Sequence, residues 1–305
     1  MLPYIARRIL WLIPVLFVVS AITFALMHSV PGGPFDREKA LRGSAVDRLN
    51  EKYGLDKPIP EQYVKWVAGL ITLDLGPSYR YENRSVNQMI GEGLPRTVQL
   101  GVMAFLLAVG LGVPLGIVAA LGHNRWPDYL STTISLVGIA TPSFVLAILL
   151  VLVFYVGLGW FPNRGWKGPE TWVLPMFALS GFQIAVIDRY TRASMLEVTR
   201  RDYVRTAYSK GLRRRAVVSR HMIRNALIPV VTILGPIFAF LITGSFIIEY
   251  FFGIPGAGRL YVQSIQGRDY AVIMASTVLY AASIAVMNLI VDVLYAYIDP
   301  RIRYS

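Results

Sequence analysis

The 305-residue chain is 55% apolar and 16% charged, with a formal net charge of +12 and no cysteine. The missing cysteine excludes disulfides, thiolate chemistry and Cys-ligated metals. The positive charge is no argument for nucleic-acid binding, because most of it sits in one block, residues 189–224, which holds eleven basic residues against two acids.

In chain order, residues 9–27, 97–121, 129–163, 171–187, 225–248 and 271–291 contain no Asp, Glu, Lys or Arg. About 20 apolar residues carry a helix across a bilayer, so these runs predict six spanning helices, the 171–187 run extending past Asp188. Arg7 and Arg8 precede the first run, which is longer than the apolar core of a cleaved leader and lacks a small-residue cleavage site. It reads as a retained span kinked at Pro14. Residues 31–95 carry nine basic and nine acidic residues. They read as a small extracytoplasmic cap with one short helix over 47–53, stopped by Gly54, and a second over 60–73. The second span carries Ala108, Gly112, Gly116 and Ala120 at four-residue spacing, a stripe that lets another helix approach closely. The domain reading is therefore a first transmembrane helix (1–30), the cap (31–95) and a five-helix core (96–305).

Lys/Arg-rich loops stay on the cytoplasmic side. The 189–224 block therefore faces the cytoplasm, as do both termini, including the tail Asp299-Pro300-Arg301-Ile302-Arg303. Within the block, 202–210 lacks proline and glycine and predicts a short helix turned at Gly211. A second helical stretch runs to Ile228, and Pro229 opens the next span. Small Ala207 and Gly211, four apart, offer a close-approach surface for another protein.

Asp202-Tyr203-Val204-Arg205-Thr206-Ala207-Tyr208-Ser209-Lys210-Gly211-Leu212, with Arg220-His221-Met222 and Asn225-Ala226-Leu227-Ile228-Pro229 behind it, resembles the "EAA" loop of bacterial ABC importer permeases. Thr206, Ala207, Gly211 and Pro229 match that pattern. Arg205 stands where the name-giving Glu would be, as in the peptide-permease branch, and Tyr208-Ser209 departs from a more usual Arg-Ala. Pro31-Gly32-Gly33-Pro34-Phe35, Lys52-Tyr53-Gly54-Leu55, Asp74-Leu75-Gly76-Pro77-Ser78, Ser85-Val86-Asn87, Gly253-Ile254-Pro255-Gly256-Ala257-Gly258, Arg268-Asp269-Tyr270 and the Val291-to-Tyr304 end resemble the OppB-type permeases of oligopeptide importers. The resemblance spans nearly the whole chain. It implies an all-α integral membrane protein of a prokaryotic inner membrane, working as the permease of a binding-protein-dependent importer. It further implies a second homologous permease and two ATPase subunits, which bind ATP and Mg and dock on Asp202, Tyr203, Arg205, Thr206, Ala207, Lys210, Gly211 and Leu212, ahead of Pro229. An extracytoplasmic peptide-binding protein would deliver the substrate.

The chain has no Gly-x-x-x-x-Gly-Lys-Ser/Thr loop and is expected to be neither an ATPase nor any other enzyme, with no cofactor of its own. His28, His123 and His221 share no ligand spacing. Asp188 and Asp292 lie near the ends of apolar runs and read as boundary residues reaching interfacial water. Glu249 either lines an outer entrance with Gly253, Pro255 and Gly256 or acts as a cap or ion-pair partner in that turn. Trp160, Phe161, Trp166 and Trp172 read as headgroup-level anchors. Permeases of this family also serve dipeptides, nickel and glutathione. The alternative of another class is a self-contained secondary transporter, which predicts repeats, broken helices or deep charges.

Overall fold

The computed structural model describes residues 2–35 and 43–298. The tail at 299–303, the last residues of the C-terminal motif and residues 36–42 of the cap lie outside the described residues. The protein is α-helical: α1 (Leu2–Ser29), α2 (Gly43–Tyr53), α3 (Ile59–Ile71), α4 (Val86–Leu121), α5 (Trp126–Ala140), α6 (Ser143–Leu150), α7 (Val173–Thr199), α8 (Asp202–Ser209), α9 (Arg214–Ala216), α10 (Arg224–Thr243), α11 (Phe246–Phe251), α12 (Ala257–Gly267) and α13 (Tyr270–Ile298). Short π-helical segments follow α6 (Val151–Gly157) and α9 (Val217–Ile223).

Five helical stretches are long and apolar enough to cross a membrane, and α5 with α6 and its π turn makes a sixth if the pair is one span. That pair is bent by 112°. The cause is local. The proline ring of Pro142 disfavours helical geometry in the residue before it, and Thr141 is extended at φ −93, ψ 116. The uninterrupted run at 129–163 is therefore a broken helix rather than one rod. Pro229 does not open a span either. It lies inside α10, one turn past Asn225, whose carbonyl loses its helical donor there.

The chain divides into two compact units, Met1–Thr97 with Gly253–Ser305, and Val98–Phe252. In the first, α13 packs on α1 and α12. The cap helix α3 is held to α1 through Tyr63, whose hydroxyl meets Ser20 Oγ at 2.8 Å and whose ring packs on Phe17 and Phe24. Val86, Met89 and Ile90 close a buried cluster with Ala271, Val272 and Ala275 at the start of α13.

Motifs far apart in sequence meet here. Asp269 accepts the Ser78 hydroxyl and the Tyr79 backbone N–H (3.2 Å). Arg268 donates to the Pro31 carbonyl at 3.1 Å and the Tyr270 hydroxyl to that of Gly32 at 3.2 Å. Asn87 ties both ends of the 73–75 turn, accepting from Leu75 N at 2.9 Å and donating to Leu73 O at 2.7 Å.

In the second unit α7 is central, packed on α5, α6 and α10. The small-residue stripe of α4 faces it. A β-carbon on Gly112 would stand 2.8 Å from Ile187 Cβ, and one on Gly116 would stand 2.6 Å from Thr191 Cβ. Close approach of backbones is what dispersion and small residues supply inside a bilayer.

Candidate functional site: the basic loop and its supporting polar cluster

Helix α8 carries the recognised motif. It starts with Asp202 in its first turn, where a carboxylate faces the positive end of the helix dipole. It stops in a Schellman motif: Gly211 N donates to Tyr208 O at 2.9 Å, and Leu212 N donates to Ala207 O at 3.3 Å. Gly211 supplies the left-handed φ of +76 that this stop requires. No atom lies within 4 Å of a β-carbon built there. The turn thus needs glycine for its backbone, not for space.

Val204 and Ala207 are one helical turn apart and both buried. They pack with Met195 and Val198 of α7, Val217 and Met222 of the π segment, Ala226 of α10 and Ala120 of α4. Ala207 therefore serves its own chain, which corrects the expectation that it forms a surface for another protein. The outward face is different. Tyr203 (41%), Tyr208 (44%) and Leu212 (41%) are exposed, with Arg205, Thr206 and Lys210 exposed among them. Asp202 and Arg205 stand 4.0 Å apart, a weak exposed pair that leaves the arginine free to engage an acid. Ser194 Oγ bonds the Ala226 carbonyl at 2.8 Å, holding α7 to α10 just ahead of Pro229.

Behind the loop lies a polar cluster that reading the sequence missed. Arg192 of α7 grips Asp128 of α5 through Nε at 2.5 Å and through Nη2 at 2.9 Å. Asp128 also accepts the Asn124 N–H at 2.9 Å and meets His123 Nδ1 at 3.2 Å. One turn before Arg192, Asp188 accepts the hydroxyl of Ser131 at 2.8 Å and also that of Ser135. Asp188 is only 1% exposed. Its carboxylate meets hydroxyls of another helix rather than interfacial water, which corrects that part of the boundary reading. The sequence did hold a signal, since Asp188 and Arg192, and Ser131 and Ser135, are each spaced by four. Asp292, the other supposed boundary acid, pairs with Arg8 at 2.6 Å.

Of the outer-turn residues, Glu249 is fully buried (0%) in α11, which Ser245 caps. Gly253, Pro255 and Gly256 belong to the other unit. There the Gly253 carbonyl accepts Arg259 at 2.7 Å, and Ala257 N donates to Thr97 Oγ1 at 3.0 Å. A β-carbon on Gly93 of α4 would lie 2.9 Å from Gly256 C, so this turn is packed tightly on α4. Trp166 packs on Trp172 and donates to Gln99 Oε1 at 3.1 Å, while Trp160 is exposed. Among the described residues no group of three His, Cys, Asp or Glu could hold a metal.

Residues 112–304 match the family described as the binding-protein-dependent transport system inner membrane component, and residues 1–101 match its N-terminal membrane component. The chain belongs to that family. The permease is 44% identical over 307 residues, covering all of both chains, to the oligopeptide transport system permease protein OppB of Salmonella typhimurium. It is 41% identical to the dipeptide transport system permease protein DppB of Bacillus subtilis, over 98% of this chain and 97% of that one. The glutathione transport system permease protein GsiC of Escherichia coli O6:H1 is 42% identical over the full length of both. Two solved structures share the fold. An amino acid ABC transporter matches with a TM-score of 0.55 at 17% identity, covering 69% of the permease and 94% of that chain. The inward-facing MetNI methionine ABC transporter matches with a TM-score of 0.57 at 15% identity, covering 70% and 97%. The permease is a multi-pass, OppB-type ABC transporter subunit, a transport component rather than a catalyst.

Proposed function

We propose that the permease forms half of the translocation path of an ATP-driven importer of short peptides, with a second homologous permease forming the other half. Two ATPase subunits, which bind ATP and Mg, dock on α8 from the cytoplasm, and an extracytoplasmic binding protein delivers the peptide. The observation that carries this reading is the two-sided character of α8: Val204 and Ala207 anchor it to α7 and α10, while Tyr203, Tyr208 and Leu212 face outward among basic side chains. A push on such a helix is transmitted to the spans rather than lost in a flexible loop. The substrate class is supported by relatives named for oligopeptides, dipeptides and glutathione, all of which present peptide backbone and a terminal carboxylate.

Affinity purification of the tagged chain in mild detergent tests the assembly. Wild type is expected to bring down two ATPase polypeptides and a second permease. Leu212→Asp, on the exposed face, is expected to lose the ATPases while keeping the permease partner. A wild-type chain that purifies alone overturns the importer reading.

A further inference from the structure

The first unit contains a cavity of about 450 Å³ between the cap helices α2 and α3, the 72–79 turn and the facing ends of α1 and α13. Its size falls in the range that holds small organic ligands. Lys52, Lys65, Asp74, Trp66, Tyr53 and Tyr79 are among the side chains that line it. Some polar groups in the wall are already satisfied within the chain. Gln62 gives both amide hydrogens to the carbonyls of Leu55 (3.1 Å) and Lys57 (2.7 Å) and meets His28 Nε2 at 3.2 Å.

Others are not. The Trp66 indole N–H is buried and has no acceptor among the described residues, a condition that costs free energy unless something fills it. Lys65 forms no ion pair among the described residues, and its ammonium lies over Gly54, 3.7 Å from where a β-carbon would stand. The Lys52 ammonium lies 5.4 Å from the Tyr53 ring centroid and likewise meets no carboxylate among the described residues. Asp74 accepts Gly76 N at 3.2 Å, and no cation reaches its carboxylate among the described residues. Tyr53 and Tyr79 pack ring to ring at 4.8 Å, forming an aromatic wall. The cavity thus carries two exposed lysines and one exposed aspartate with no ion-pair partner among the described residues, beside an aromatic wall, while the Trp66 N–H is enclosed by the protein.

We propose that this cap cavity binds the zwitterion of a short peptide. Lys52 and Lys65 take the terminal carboxylate, Asp74 takes the terminal ammonium, and the rings take an apolar side chain. The ligand class rests on the peptide-import reading above. The site is separate from the α8 docking face, and it would hold peptide on the permease itself without the binding protein.

Binding is measured with tritiated Ala-Phe-Ala on the permease complex in lipid nanodiscs, without binding protein. Saturable binding is expected, with the C-terminal amide weaker by about tenfold, since a hydrogen bond to a charged group is worth roughly that factor. Lys52→Gln and Lys65→Gln are each expected to weaken the free acid by about tenfold, and Asp74→Asn to abolish the preference for a free over an acetylated N-terminus. Equal affinity in all four proteins, or no saturable binding, overturns the proposal. Saturable binding of a short-chain phosphatidylethanolamine in place of peptide, weakened by the same variants, assigns the cavity to lipid and also overturns it. Uptake of the same peptide by the complete transporter in proteoliposomes reads the import function separately. Uptake with variant-insensitive binding overturns the cavity alone. Variant-sensitive binding without uptake supports the cavity and overturns the import reading.

Discussion

Asp128 shows how one residue can decide the geometry of a membrane helix pair. Its carboxylate is almost wholly enclosed and takes two hydrogen bonds from Arg192 and one from Asn124. A charged group in such a place is retained only because its partners replace water. Asp128→Ala leaves Arg192 partly solvated rather than stranded, so the loss is expected to be about 2 kcal/mol, below that for a fully buried pair. It is read as a lower Tm of the purified protein. The double variant with Arg192→Ala should show a coupling of at least about 1 kcal/mol in a mutant cycle.

Tyr79 offers a pH test at the same scale, outside the spans. Burial first, then the charge of Asp269 and the neighbouring Tyr53, push its hydroxyl from 10.0 up to about 12. The folded cap therefore holds this proton more tightly than the unfolded chain does. The resulting stabilisation is complete below the ordinary tyrosine value and is lost as pH rises towards 12. Hydrogen exchange of the cap should quicken over that window in wild type, and Tyr79→Phe should remove the phenolic part of the change.

At the scale of elements, two glycine sets carry different meanings. Gly112 and Gly116 are where α4 meets α7, and an added side chain strikes Ile187 or Thr191. Gly110, on the same helix, has nothing within 4 Å of its β-carbon position. Gly116→Val is thus expected to cost at least about 2 kcal/mol by overpacking, whereas Gly110→Val should be nearly neutral, both read by fluorescence-detected gel filtration after heating. Gly211 is the opposite case, with open space and a left-handed φ. Gly211→Val should destabilise the α8 turn by about 1–2 kcal/mol, and Gly211→Asn by less, because asparagine tolerates that conformation. Limited proteolysis of the loop would rank them, and equal cleavage of both variants would contradict the backbone argument.

The sequence announced the α4 stripe by its four-residue spacing but could not name α7 as its partner. It announced α8 by the absence of proline and glycine over 202–210, with Gly211 behind it, yet it put Ala207 on the wrong side. Helical spacing tells which residues share a face, but not which of two faces the rest of the chain covers. The break between α5 and α6 was written in Thr141-Pro142, and the unbroken apolar run hid it.

For the whole molecule, the orientation expected from charge asymmetry makes a direct prediction. The chain has no cysteine, so single cysteines report without background. Glu82→Cys in the cap should react with an impermeant maleimide in spheroplasts, whereas Ser209→Cys at the end of α8 should react only after permeabilisation. Labelling of Ser209→Cys from outside would invert the topology and remove α8 from the reach of any ATPase.

By itself the sequence determined the class of this protein, since long uncharged runs have no low-energy solution other than spanning helices. It also fixed the basic loop and, through dispersed motifs, the family resemblance. Only the tertiary structure decided what those motifs do for the fold. Asp269 meets Ser78, and Arg268 meets the Pro31 carbonyl, across gaps of 191 and 237 residues. Likewise Asp188 is closed off by two serines from another helix, and the Trp66 indole N–H is enclosed without an acceptor among the described residues. Burial and pairing are properties of what arrives from elsewhere in the chain, and no local pattern of residues encodes them.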